Sequence, residues 1–126
     1  MAQPPNIPVF VYGTLKKGFP NHHYLRNGNA SFVGRGFTKK RFALYVDLFP
    51  YVYPQEEVSH IHGEVYLVDN HTLERLDMLE EHPHWYKREK TKIVLEDGAE
   101  IEAFIYFHPT PRGKLIPGGN YQNNLP

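Results

Sequence analysis

The chain has 126 residues, no cysteine, and 14 Lys+Arg against 14 Asp+Glu. That length suits one domain and is too short for two ordinary ones, and the lack of cysteine excludes a disulfide framework, a cysteine nucleophile and thiolate-held metals. A formal net charge of zero argues against nucleic acid or an anionic membrane as main partner, and no apolar run approaches the roughly 20 residues of a membrane-spanning helix.

Residues 1–8 read as a flexible, proline-rich lead-in with neither the basic start nor the apolar stretch of a signal peptide, so a cytoplasmic location is expected. Val9-Phe10-Val11-Tyr12 is a short continuous strand of the kind buried on both faces. It breaks at Gly13 into a basic turn, GTLKKGFP. Glycines let backbone N–H groups approach an anion closely, and Gly13 and Gly18 have the outer spacing of a phosphate-binding loop. Phe19-Pro20 stand where that loop needs Lys-Ser/Thr, so a nucleoside triphosphate fits poorly. Residues 20–26 predict one or two helical turns ended by Asn27-Gly28 as a C-cap pair. Residues 30–46 read as one or two bent strands containing the basic run Lys39-Lys40-Arg41, and residues 48–54, LFPYVYP, as an aromatic and proline loop suited to a pocket wall.

Residues 61–68 alternate, with Ile61, Gly63, Val65 and Leu67 on one face and His62, Glu64 and Tyr66 on the other. Asp69 or Asn70 then caps a helix through HTLERLDMLEE, stopped by Pro83. Residues 86–95 and 99–108 form a hairpin across Glu96-Asp97-Gly98, and residues 109–126 an irregular tail. This order of elements is α+β: a single domain over residues 1–126, built as a small mixed, strongly curved sheet or partly closed barrel with one main and one short helix.

On the helix HTLERLDMLEE, Leu73 and Leu76 mark the core-facing stripe. Glu80, seven residues after Leu73 and four after Leu76, falls on that same stripe. Carbonyl dipoles at a helix C-terminus repel negative charge, and burial acts in the same direction, so the carboxyl is expected to titrate high. That suits a general acid or base near neutral pH. Spacing alone leaves open that Glu80 reaches water at a frayed end or pairs with Arg75 or Lys87.

Two other chemistries are weighed. His60, His62 and Glu64 share a strand face and make a candidate metal-ligand triplet, without an H-E-x-x-H spacing. Lys39-Lys40-Arg41 with Phe37 and Phe42, or Phe104 and Tyr106, would offer basic and stacking groups to a nucleic acid, against the zero net charge and the acidity of residues 96–102.

VFVYGTLKKG with PNH after it, and GEVYLVDNHTLERLDMLEEHPHWYKR, together resemble the γ-glutamylcyclotransferase-like family. The first is similar to that family's Tyr-Gly-Thr/Ser-Leu loop. The second is similar to its strand, helix and acidic residue followed by a tyrosine and a basic residue. GKLIPGGNY resembles the closing segment of short microbial members. The resemblance implies that family's fold and a small-molecule substrate, a γ-glutamyl amide cleaved by cyclisation to release 5-oxoproline and a free amine or amino acid. It implies no metal, cofactor or protein nucleophile. Carried over residue by residue, it assigns substrate binding to Tyr12, Gly13, Thr14 and Leu15 and proton transfer to Glu80. Tyr86 and Tyr106 are candidates for lining the pocket, with strand packing and a satisfied hydroxyl as the alternative for each. YGTLKKGFPNH is most similar to the γ-glutamylamine cyclotransferase branch, from which LFPYVYP departs. The alternative function is a non-catalytic, small-molecule (γ-glutamyl-like) binding module of the same fold.

Overall fold

The computed structural model describes residues 4–122; the expectations for residues 1–3 and 123–126 lie outside the described residues. The elements are β1 (Ile7–Val11), α1 (His23–Asn27), β2 (Ser31–Val46), β3 (Pro50–Tyr53), β4 (Ser59–Val68), α2 (Asn70–Leu79), β5 (Lys87–Leu95), β6 (Glu100–Phe107) and β7 (Lys114–Ile116). The strands form one mixed sheet in the order β1-β4-β2-β3-β6-β5, with β7 paired to β2. β1 is antiparallel to β4 and also meets β6 in parallel at Val9 and Phe104, while β2 reaches β5 at residues 36–38. The sheet therefore curls back on itself without becoming a regular barrel. β2 makes this curvature possible: one 16-residue strand whose register against β4 shifts between Phe32 and Gly34 and again between Phe37 and Arg41.

The continuous apolar run of β1 is explained by the two cores it separates. Val9 and Val11 join Leu25, Leu73 and Leu76 on the side covered by the helices. Phe10 and Tyr12 join Phe42, Leu44, Val52, Ile61, Val65, Ile93 and Ile105 inside the curl. Successive strand residues point to opposite faces, so a strand with both faces covered reads as an unbroken hydrophobic stretch. Gly63 of β4 lets β1 come close, since a Cβ there would lie 2.3 Å from the Val11 carbonyl oxygen.

Several boundaries differ from the sequence reading. The lead-in stops at Asn6, because Ile7 and Pro8 already pair with Val68 and Leu67 in the sheet. α1 starts at His23 rather than at residue 20; it ends at Asn27 with Gly28 as its C-cap, as the sequence indicates, and Asn29, at φ 56°, makes the left-handed turn that follows. LFPYVYP contains β3, paired through Val52 to both β2 and β6. β4 is buried on both sides over residues 63–66, Glu64 included. The tail from residue 109 contributes β7.

Asp69 caps α2, its Oδ1 accepting the Thr72 N–H at 2.7 Å. The helix ends at Leu79, earlier than Pro83 would enforce. Glu81 adopts φ 53°, and the bonds His82 N–H to Asp77 O and Glu81 N–H to Met78 O close a Schellman motif. Among the described residues no helix is long and apolar enough to cross a membrane.

Candidate active site

The end of β1 and the end of α2 face one another across a cleft of about 210 Å³. Its lining includes Tyr12, Gly13, Thr14, Leu15, Glu80, Tyr86 and Tyr106, all seven residues singled out in the sequence. Sequence reasoning did not single out Asn21, Leu79, Glu81 or Trp85, which also line it. LFPYVYP does supply part of the wall, through Phe49 and Pro50.

The turn after β1 is held from several directions. Its carbonyls are used: Gly13 O accepts Lys16 N–H, Thr14 O accepts Asn21 N–H, and Leu15 O meets His22 Nδ1 at 3.0 Å. The Leu15 side chain is buried in the helix-side core. Gly13 packs so closely on β3 that a Cβ would sit 2.4 Å from Pro50 Cγ. The backbone N–H groups of Gly13, Thr14 and Leu15, by contrast, donate to no group among the described residues. Three consecutive amides left unpaired beside a cavity are an acceptor-binding feature, because buried N–H groups are otherwise almost always used.

Opposite this turn, Glu80 is the C-cap of α2. Its φ of −87° and ψ of 0° continue the helical direction, so it stays on the stripe of Leu73 and Leu76 although the helix has stopped. The following reversal at Glu81 and the bond from Tyr86 N–H to Glu80 O at 3.2 Å fix its backbone. The side chain is half-buried and has no hydrogen-bond or ion-pair partner among the described residues, Arg75 and Lys87 included. Arg75 lies over the Tyr24 ring instead. Burial pushes the Glu80 carboxyl up to about 7.

Three tyrosines surround it. Tyr12 donates to the Tyr106 carbonyl at 2.6 Å, Tyr86 to the Pro50 carbonyl at 2.8 Å, and Tyr106 to Asp77 Oδ1 at 2.7 Å. Burial first, with the nearby Glu80 charge among the further causes, raises all three hydroxyls. They stay protonated, and their bonds are already made, so they shape the cleft as rings and fixed donors. Tyr86 precedes β5 and stacks on Tyr51 at 5.6 Å between centroids. Burial opposes ionisation of Asp77, but Arg88, bidentate at 2.8 and 2.9 Å, and Tyr106 together hold its carboxyl below the usual range. This pair ties the last turns of α2 to β5 and β6.

The other candidate groups do not converge. His60 Nδ1 faces the Thr38 carbonyl at 2.8 Å, while Glu64 accepts the Lys17 N–H and the Tyr66 hydroxyl. Among the described residues no three His, Asp or Glu side chains gather closely enough to hold a metal ion. Lys39 pairs with Glu100 at 2.9 Å, and Phe42 is buried.

A family model described as γ-glutamyl cyclotransferase, AIG2-like, matches residues 9–123. A Methanocaldococcus jannaschii protein provisionally named a γ-glutamylcyclotransferase is 52% identical over 116 residues, covering 91% of this chain and 95% of the relative. The γ-glutamylaminecyclotransferase A of Danio rerio is 39% identical over 109 residues, covering 79% and 68%. An AIG2-like protein of Mus musculus, known from a crystal structure, superposes with a TM-score of 0.83 at 30% identity, covering 95% of this chain and 90% of that one.

Proposed function

Because this chain belongs to the AIG2-like γ-glutamyl cyclotransferase family, we propose that it converts γ-glutamyl amides to 5-oxoproline and a free amine or amino acid, with Glu80 as general acid and base. The observation that carries this reading is one cleft holding an unpaired, partly buried carboxyl on one wall and three unpaired amides on the other. The amides of residues 13–15 are donors for the substrate's α-carboxylate or for the oxyanion that develops on its γ-carbonyl.

Glu80 takes a proton from the substrate's α-ammonium. The freed amine nitrogen attacks the γ-carbonyl carbon of the same molecule, forming the ring C–N bond and a tetrahedral oxyanion. Collapse breaks the bond to the leaving nitrogen, which receives the proton held by Glu80. The ring nitrogen gives up its remaining extra proton through Glu80 to the departing amine, so that the products are the neutral lactam of 5-oxoproline and an ammonium ion. A carboxyl titrating near 7 exchanges protons in both directions at neutral pH. Substrate and nucleophile are one molecule, so the cleft contributes by folding a flexible chain into a reactive pose. Well-oriented intramolecular reactions gain up to about 7–11 kcal/mol in this way. The substrate is a small molecule.

The test is incubation with a panel of γ-glutamyl amines and γ-glutamyl amino acids, with mass detection of 5-oxoproline. Release of 5-oxoproline with stoichiometric amine supports the reading. Ligand binding without release points to a binding module of the same fold.

A further inference from the structure

Asn21, in the short segment between the turn and α1, grips Thr14 at two points. Its backbone N–H donates to the Thr14 carbonyl at 2.8 Å, and its side-chain Nδ2 donates to Thr14 Oγ1 at 2.9 Å. Both residues are half-buried and line the cleft. A hydroxyl has one hydrogen and two acceptor lone pairs. Nδ2 occupies a lone pair, and the Thr14 hydroxyl hydrogen has no acceptor among the described residues. An acceptor at position 21 would draw that hydrogen away from the cleft; a donor there leaves it free. The neighbouring amides of residues 13–15 are donors too. The pocket end is thus built for a group that only accepts, which is the character of an ionised carboxylate.

We infer that Asn21 is a positioning residue whose Nδ2–H fills a Thr14 lone pair and so aims the Thr14 hydroxyl hydrogen into the cleft, as a side-chain donor for the substrate's α-carboxylate. This rests on the cyclotransferase reading above. It adds a side-chain donor to the main-chain amides of the turn, and it makes the loss of either residue equivalent.

The experiment is calorimetric titration of γ-glutamyl methylamide into the Glu80→Gln protein, which reads binding free of turnover. In that background Asn21→Ala and Thr14→Val each weaken binding about tenfold. Because Asn21 acts through Thr14, the two together weaken it no more than Thr14→Val alone. Asn21→Asp, nearly the same shape, weakens binding further, since its carboxylate accepts the hydroxyl hydrogen and repels the ligand's carboxylate. With the α-carboxamide analogue, which lacks the charge, the Asn21→Ala penalty falls below about threefold. Multiplying penalties in the double variant, equal penalties on the two ligands, or an Asn21→Asp protein that binds like its parent would each overturn the assignment. Failure of the Glu80→Gln protein to bind the probe overturns it together with the substrate class. Probe binding without 5-oxoproline release by the wild-type protein overturns only the chemistry, and the titrations still decide the role of Asn21.

Discussion

Two glutamates flank the same turn and meet opposite surroundings. Glu64, buried in β4, accepts the Lys17 N–H at 2.9 Å and the Tyr66 hydroxyl at 3.0 Å, and so holds the far end of the turn in place. Glu80, less buried, has no such donors, and its carboxyl is pushed up to about 7. Burial by itself therefore does not decide what a carboxylate does. Supplied with donors it is a fixed acceptor and a piece of structure; left without them, beside a cleft, it is ready to exchange a proton near neutrality.

The largest expected effect breaks the Glu80 side of this contrast. Glu80→Gln should fold normally and lose turnover by about 10²–10⁴-fold, the usual contribution of a general acid or base. Steady-state release of 5-oxoproline checks it, and near-normal turnover by a folded variant removes Glu80 from the chemistry.

The same variant sharpens the contrast in stability. A carboxyl whose folded-state pKa lies above its unfolded value adds stability that is fully present below the unfolded value and lost as pH rises through the folded one. For Glu80 that window runs from 4.5 to about 7. Glu80→Gln lacks this dependence, so relative to the wild type it should gain stability across the window, by up to about 3 kcal/mol. Denaturant melts of both proteins at pH values spanning that range are the measurement; parallel curves would show an unperturbed carboxyl.

At the turn itself, Gly13→Ala drives a methyl group to 2.4 Å from Pro50 Cγ, an overlap costing about 1–3 kcal/mol, and moves the free amides. Removing Cγ leaves Pro50 Cβ, at 3.5 Å. Adding Pro50→Ala should therefore restore much of the substrate affinity that Gly13→Ala loses; no restoration would mean that the crowding is not what Gly13 avoids. The smallest effect belongs to the structural glutamate. Glu64→Ala should cost about 1–2 kcal/mol of stability by stranding its two donors, while turnover under substrate saturation stays within about threefold of wild type.

Much of this architecture was legible because local pattern and burial agree. Val9–Val11 reads as a strand covered on both faces, and the Leu73, Leu76 and Glu80 stripe marks the inward face of α2. The end of α2 at Leu79 was hidden because its left-handed residue is Glu81 rather than glycine, so the sequence marks the stop only through Pro83, four residues later. β3 was masked by the prolines of LFPYVYP, whose pairing with β2 and β6 is set by partners distant in the chain. Asn21 and Trp85 reach the cleft from irregular segments, where periodicity carries no signal. The substrate-binding role proposed for residues 12–15 came from the resemblance to a family, since spacing did not identify the anion.

The most direct test of an unpaired Glu80 acting as the proton carrier is the pH dependence of kcat/KM for 5-oxoproline release. The rate should fall on the acid side with a midpoint of about 7 as Glu80 takes up its proton, and the residual activity of Glu80→Gln should lack that limb. An acid limb at the ordinary carboxylate position, or one that persists unchanged in Glu80→Gln, would contradict it.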